Sequence, residues 1–346
     1  MLIKSRAPLR LSFAGGGTDI SPFCDKYGGI VLNATINKFA YCTLDIWEEN
    51  FVHFESFDLN LSSTWNLNQI NLEVTNEDKL KLHKKIYCYF MSKYNDNKMI
   101  PLKIATFCEA PFGSGLGSSS TIVVSIISAF SEFFNIGLDD YAIAALAYNI
   151  ERVDCGLKGG QQDQYSAAFG GFNYMEFFGE NEVVITPLRI KDWIVSELES
   201  SLILYFTGRS RDSSKIIDDQ ILSLGDGNEN SLNAMKNVKA ETKVMKEALL
   251  RGDFNKLENS LKRTWNSKKL TSKNVSNFNI ESIYKSAINS GARAGKISGA
   301  GGGGFMFFLV PLQYRKAVSN TLKELGGSIS NCNFSTKGCT TWKVNN

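Results

Sequence analysis

The stretch with the most evident chemistry is residues 109–121, Glu-Ala-Pro-Phe-Gly-Ser-Gly-Leu-Gly-Ser-Ser-Ser-Thr. Gly113, Gly115 and Gly117 alternate and run directly into Ser118, Ser119 and Ser120, after which an apolar pattern of helical period begins. Such a loop leaves backbone N–H groups bare and opens a helix whose N-terminus carries partial positive charge. Together these make an anion site, and phosphate is the usual anion. The spacing is not that of a Walker loop, because no Lys follows the glycines. It also departs from the dinucleotide fingerprint, since Ser118 stands where the third glycine belongs. For one such loop a flexible turn is the plain alternative, but two more glycine clusters occur, at residues 15–17 and 299–304.

These three clusters need elements to position them. Residues 9–14 read as a strand that the first cluster breaks, and residues 30–36 and 40–46 are β-branched or aromatic-rich runs. A helix is expected over 78–94 and a strand over 102–107, leading into the glycine-serine loop. Ile122, Val123, Ile126, Ile127, Phe130 and Phe134 then recur at helical spacing, so 119–134 is expected to be a buried helix. A second helix starts at Asp139 or Asp140 and carries Glu151 and Arg152 in its last turn. A short helix over 161–169 and a strand pair, 172–178 with 183–187, follow. Beyond a boundary placed at 188–195, the pattern is a strand over 202–206, helices through 231–290, and strands around the third cluster. A helix over 312–325 and a strand over 328–334 complete it. That order, with helices on one side of an antiparallel sheet, fits an α+β domain better than a doubly wound one.

Size and composition agree with two domains, 1–190 and 191–346. The chain has 346 residues, 43% of them apolar and 21% charged, as in a soluble globular protein. No apolar run approaches a membrane span, and residues 1–6 are too short and too interrupted for a signal peptide. Seven scattered cysteines, an odd number without C-x-x-C spacing, argue against a disulfide framework or a zinc site, and the expected location is the cytoplasm. A net charge of +3 is too small and dispersed for nucleic acid. His53 and His83 both lie outside the glycine clusters, which disfavours histidine-based catalysis.

Read together, the clusters resemble the GHMP kinase superfamily of small-molecule kinases, which includes galactokinase and the homoserine, mevalonate and phosphomevalonate kinases. The middle motif, Pro-x-Gly-x-Gly-Leu-Gly-Ser-Ser from Pro111 to Ser119, is the most specific part, and the resemblance runs from Ala7 to Val310. It implies a two-domain α+β fold: an N-terminal ATP-binding domain of mixed sheet and helix, and a C-terminal ferredoxin-like α/β sandwich. Within the superfamily, residues 7–19, Gly28-Gly29 and residues 33–37 look like the bacterial D-glycero-D-manno-heptose 7-phosphate kinases. Those are anomeric sugar kinases that supply GDP-heptose for surface polysaccharides. Galactokinase would have Gly-Glu-His-Thr-Asp where this chain has Gly-Gly-Gly-Thr-Asp at 15–19.

The resemblance implies ATP as phosphoryl donor, held on Pro111, Gly113, Ser114, Gly115, Leu116, Gly117 and Ser118–Ser120, with Mg²⁺ on Ser119 and Glu151. Asp163 is then the group that accepts the proton of the anomeric hydroxyl or holds that hydroxyl in line. Its plain alternative is a helix-start Asp favoured by capping and the dipole. Arg10 would lower the pKa of Asp163 and steady the transferring phosphoryl group, or it is a strand Arg facing solvent. Gly16, Gly17, Thr18 and Asp19 are implied for the sugar, although Asp19 also suits an Asx turn. Gly301 and Gly302 would let backbone approach the ligands. Arg209 and Arg211 concentrate donors suited to a distal phosphate; Lys4 with Arg6 is the other candidate pair, and a solvated polar loop is the bland reading. A glycine-loop oxidoreductase, a non-catalytic sugar sensor and an L-fucose or deoxysugar kinase are the rivals.

Overall fold

The computed structural model of the chain describes residues 2–69, 75, 78, 80–179, 182–210, 213–225 and 228–344. The first half holds β1 (Leu2–Ala14), α1 (Phe23–Tyr27), β2 (Gly29–Ile46), β3 (Phe51–Ser56), β4 (Leu61–Asn66), α2 (Lys81–Tyr94), β5 (Leu102–Cys108), α3 (Ser118–Phe133), α4 (Asp140–Tyr148), α5 (Gln162–Phe169), β6 (Phe172–Phe177) and β7 (Val183–Pro187). The second half holds α6 (Asp192–Ser201), β8 (Leu202–Phe206), α7 (Ser213–Gly225), α8 (Glu229–Arg251), α9 (Phe254–Lys269), α10 (Phe278–Asn289), β9 (Ala294–Ile297), β10 (Phe305–Leu309), α11 (Arg315–Glu324), β11 (Ser328–Ser330) and β12 (Thr340–Val344).

The large sheet runs β12-β1-β2-β5-β3-β4, with β6 and β7 attached to β2. It is mixed, because β3 and β5 pair in parallel while the other pairs are antiparallel. The apolar runs expected as separate strands over 30–36 and 40–46 form one strand, β2. Each run serves a different neighbour: residues 29–34 pair with β6 and residues 40–46 with β5. Above the sheet lies α3, whose side chains are small or apolar nearly all round. A helix of that kind has to be central, and it is buried from Ser120 through Ser131.

The small sheet is fully antiparallel, in the order β11-β8-β10-β9. In chain order that is fourth, first, third, second, the ferredoxin-like arrangement. Its middle strands are buried on both faces, and the period of two divides them between two cores. Phe305, Phe307 and Leu309 of β10 join the large core, whereas Met306 and Phe308 pack with Trp265, Ile283 and Val318 on the other side. The sheet expected to carry helices on one side is therefore closed on both. The run expected as a strand over 328–334 also divides. Only Ser328–Ser330 stays on the small sheet, while Phe334 bridges to Ile36 of the large one. From there the chain returns to pair β12 with β1, which ties residues 340–344 to the first sheet.

Candidate active site

All three glycine clusters meet in one cleft. Gly115 has φ +85°, and a Cβ there would stand 2.4 Å from the carbonyl oxygen of Ser298. Only glycine lets the middle loop and the third cluster touch backbone to backbone. Gly117, at φ +80°, sits at the N-cap of α3, and no side chain caps the helix. The first N–H groups of α3 are thus left to whatever occupies the cleft, at the positive end of the helix dipole.

Arg10 reaches the cleft from inside β1 and is only 4% exposed. Its Nε and Nη2 donate to Asp163 Oδ1 at 2.8 and 2.6 Å, and its Nη1 donates to the Gly115 carbonyl at 2.7 Å. Arg10 does not face solvent, so that alternative is excluded. Asp163 lies in the first turn of α5 and caps nothing; the N-cap position is Gln161. One carboxylate oxygen serves Arg10. A Cβ on Gly117 would lie 3.3 Å from the other, Oδ2, which therefore faces the glycine-serine loop.

Glu151 is completely buried, in the π-helical turn Asn149–Asp154 that continues α4. Such widened turns recur at functional sites. The hydroxyls of Ser119 and Ser120 donate to it at 2.8 and 2.6 Å, Gln164 Nε2 donates at 2.7 Å, and Arg152 Nη1 lies at 3.4 Å. Ser119 and Glu151 both line the cleft. A hydroxyl and a carboxylate side by side at an anion site form a hard-oxygen donor set, which fits Mg²⁺ bound mainly through phosphates and water. No cluster of three or more His, Cys, Asp or Glu fit for a metal occurs among the described residues.

Asp19, 1% exposed, accepts from Gly17 N at 3.0 Å, from Gln162 N at 3.1 Å and from Gln162 Nε2. More than an Asx turn, it bolts the first cluster to the start of α5. Gly160 has to be a glycine here, because a Cβ would come within 2.0 Å of Asp19 Oδ2.

Arg10, Gly16, Gly17, Asp19, Gly113, Gly115, Gly117, Ser118, Ser119, Ser120, Glu151 and Asp163 all line the cleft, as the sequence led one to expect. Several other expected residues do not. Thr18 spends its hydroxyl on Gly15 and Ile30 backbone. Pro111 is exposed at the start of the loop, and Ser114 and Leu116 are buried behind it, with Ser114 carbonyl accepting from Phe305 N at 2.8 Å. Gly301 and Gly302 pack against Val275, and Gly299 with Ala300 take the place at the cleft. Arg209 is exposed and is not among the lining residues, while Arg211 lies outside the described residues.

Lys268 was not anticipated. It lines the cleft from α9, 3% exposed, and donates to the Gly16 carbonyl at 2.7 Å. A signal existed: the buried face of α9 is Leu257, Ser260, Leu261, Thr264, Trp265 and Lys268, so a lysine sits on a helical stripe that should be uncharged. Burial pushes its pKa down to about 8, against the pull of Asp19. Lys296, buried in β9, donates to Ser12 carbonyl at 2.6 Å, and burial holds it well below the ordinary lysine value. His83 is far from this chemistry in role. It is buried against Thr106 at 2.9 Å, and burial lowers its pKa to about 4.

Known proteins agree with this architecture. Residues 81–171 match the GHMP kinases N-terminal domain and residues 245–327 the GHMP kinases C-terminal domain. The D-glycero-alpha-D-manno-heptose 7-phosphate kinase of Campylobacter jejuni is 45% identical over 99% of this chain and 99% of its own. A solved structure described as a D-glycero-D-manno-heptose 1-phosphate kinase from Bacteroides thetaiotaomicron superposes with a TM-score of 0.83 at 38% identity, covering 99% of this chain and 100% of that one. The L-fucokinase/L-fucose-1-P guanylyltransferase of Bacteroides fragilis is 23% identical over 89% of this chain and 34% of its own. With both halves matched and nearly half of all positions shared with a relative of the same length, the chain belongs to the GHMP kinases and is a phosphotransferase.

Proposed function

We propose that the protein transfers the γ-phosphoryl group of ATP to O1 of D-glycero-D-manno-heptose 7-phosphate, giving the 1,7-bisphosphate for GDP-heptose and surface polysaccharide synthesis in the cytoplasm. The observation that carries this is the Arg10–Asp163 pair, with Asp163 Oδ2 turned toward the uncapped start of α3. Both similar heptose kinases are named for heptose monophosphates, though with the phosphate on different carbons. The relative with the higher identity is named for the 7-phosphate. With domains drawn at 1–190 and 191–346, the donor phosphates would lie on the first, and the sugar between the two near Asp19 and Asp163, although β12 pairs back with β1 of the first sheet.

In the transfer, the O1 oxygen forms a bond to the γ-phosphorus as the bond to the ADP oxygen breaks. The O1 proton passes to Asp163 Oδ2, and Arg10, fixed on Oδ1, keeps the carboxylate aimed. The amides at residues 118–120 and the glycine loop hold the donor phosphates. Ser119 and Glu151 would hold Mg²⁺, which supplies charge neutralisation on the phosphates when bound. A panel of heptose 7-phosphate, heptose 1-phosphate, mannose, L-fucose and galactose, read by ATP consumption, tests the assignment. Turnover confined to L-fucose or to the 1-phosphate would refute it. Among the described residues no helix is long and apolar enough to cross a membrane.

The metal assignment has its own expected result. Ser119→Ala and Glu151→Gln each raise the Mg²⁺ concentration needed for half-maximal rate by about tenfold or more, the scale for losing a partner of a metal site. Unchanged Mg²⁺ titrations in both variants would place the metal elsewhere.

A further inference from the structure

We propose that the Lys268 ammonium anchors the phosphate that the acceptor sugar already carries; this rests on the sugar-phosphate reading above. Of its three N–H donors one is spent, on the Gly16 carbonyl, and no ion pair engages it among the described residues. A buried ammonium without a contact ion pair is costly even with Asp19 pulling on it from a distance, and at a cleft wall an incoming anion removes that cost. No neighbouring charged group forms a salt bridge with Lys268 among the described residues, although Asp19 attracts it and Arg10 repels it from a distance. Asp19 accepts from Gly17 and Gln162, Arg10 donates to Asp163 and Gly115, and Lys296 donates to Ser12.

Position decides which phosphate this is. A Cβ on Gly16 or on Gly17 would lie 3.7 Å from Lys268 Nζ, and one on Gly17 would also lie 3.7 Å from Gln220 Oε1. Lys268 therefore belongs to the wall made by the first cluster with α7 and α9. The donor phosphates have their own place at the start of α3. A sugar hydroxyl could take the spare donors but would add no charge to the distant pull of Asp19, whereas a phosphate monoester matches both the charge and the spare donors. Burial holds the Lys268 pKa down at about 8, with Asp19 pulling upward and Arg10 downward, and a bound anion would raise it. Exposed Arg209, outside the cleft lining, is less well placed for this task.

The test compares wild type, Lys268→Gln and Lys268→Arg on heptose 7-phosphate and on the unphosphorylated heptose at saturating ATP, with ATP affinity measured to verify folding. Wild type is expected to prefer the 7-phosphate. In Lys268→Gln, kcat/KM on the 7-phosphate falls about tenfold to a hundredfold, the range for a lost charged hydrogen bond, mainly through KM. The loss on the unphosphorylated sugar is smaller, so the preference falls, by up to about a hundredfold, and Lys268→Arg restores part of it. Equal losses on both sugars, or an unchanged preference, would overturn the anchor. If wild type turns over neither heptose, the substrate reading fails separately, and calorimetry with inorganic phosphate in the presence of ADP still reads the site. Phosphate binding lost in Lys268→Gln upholds the anchor, and binding equal to wild type overturns it.

Discussion

Asp163→Asn is expected to lower kcat by about 10²–10⁴, the range for a positioned proton acceptor, while fold and ATP affinity stay close to wild type. The substitution suits the geometry because an asparagine can present its carbonyl oxygen where Asp163 Oδ1 now accepts from Arg10 at 2.8 and 2.6 Å. What it removes is the second oxygen, whose place facing Gly117 is taken by an amide that donates and cannot accept a proton. The loss should appear in kcat with little change in the KM for ATP, since the groups holding the donor are untouched. Single-turnover measurement separates chemistry from product release. Undiminished chemistry in this variant would remove Asp163 from the reaction and leave Arg10 as the surviving candidate for stabilising the transferred group.

How much of this was legible in the sequence depends on the kind of signal. Local signals carried through: the 3.6-residue period of α3, the glycine spacing and the start of α4 at Asp140, capped by Asp139, all appear where expected. So did Arg10, Asp163, Ser119 and Glu151, because the resemblance marked those positions and the fold brings them to one cleft. Long-range choices were not legible. Nothing in residues 30–46 says that one strand will serve two neighbours, and nothing in 328–334 says that the run will leave one sheet for the other. Those outcomes are set by tertiary pairing, which local pattern does not encode. The glycine-rich third cluster misled for a related reason. All its glycines look alike in sequence, yet Gly301 and Gly302 meet Val275 while Gly299 meets Gly115. Lys268 was missed through the opposite error, since a lysine among charged residues reads as surface unless the helical phase is followed through to it.

The seam between the clusters carries the second large effect. Gly115→Ala should destabilise the protein by about 2–5 kcal/mol. Forcing a side chain into a left-handed conformation costs about 1–2 kcal/mol, and overpacking against a fixed neighbour adds about 1–3 kcal/mol. The neighbour is fixed here: the obstructing atom is the Ser298 carbonyl oxygen at 2.4 Å, backbone rather than a flexible side chain. Gly137→Ala is the control, because it shares a positive φ, +68°, with nothing within 4 Å of the added Cβ. It should lose only the backbone part, about 1–2 kcal/mol. The difference between the two variants in urea midpoint, at equal denaturant slope, isolates the contact between the loops. Activity should follow the same contrast. The Gly115 carbonyl accepts from Arg10 Nη1 at 2.7 Å, so a loop displaced by the new methyl also loosens the guanidinium that aims Asp163. Gly115→Ala should therefore lose kcat as well as stability, whereas Gly137→Ala loses stability alone. Equal stability costs for the two alanines would mean that the loops part without penalty, and the close approach of the middle and third clusters could not then be what holds the cleft together.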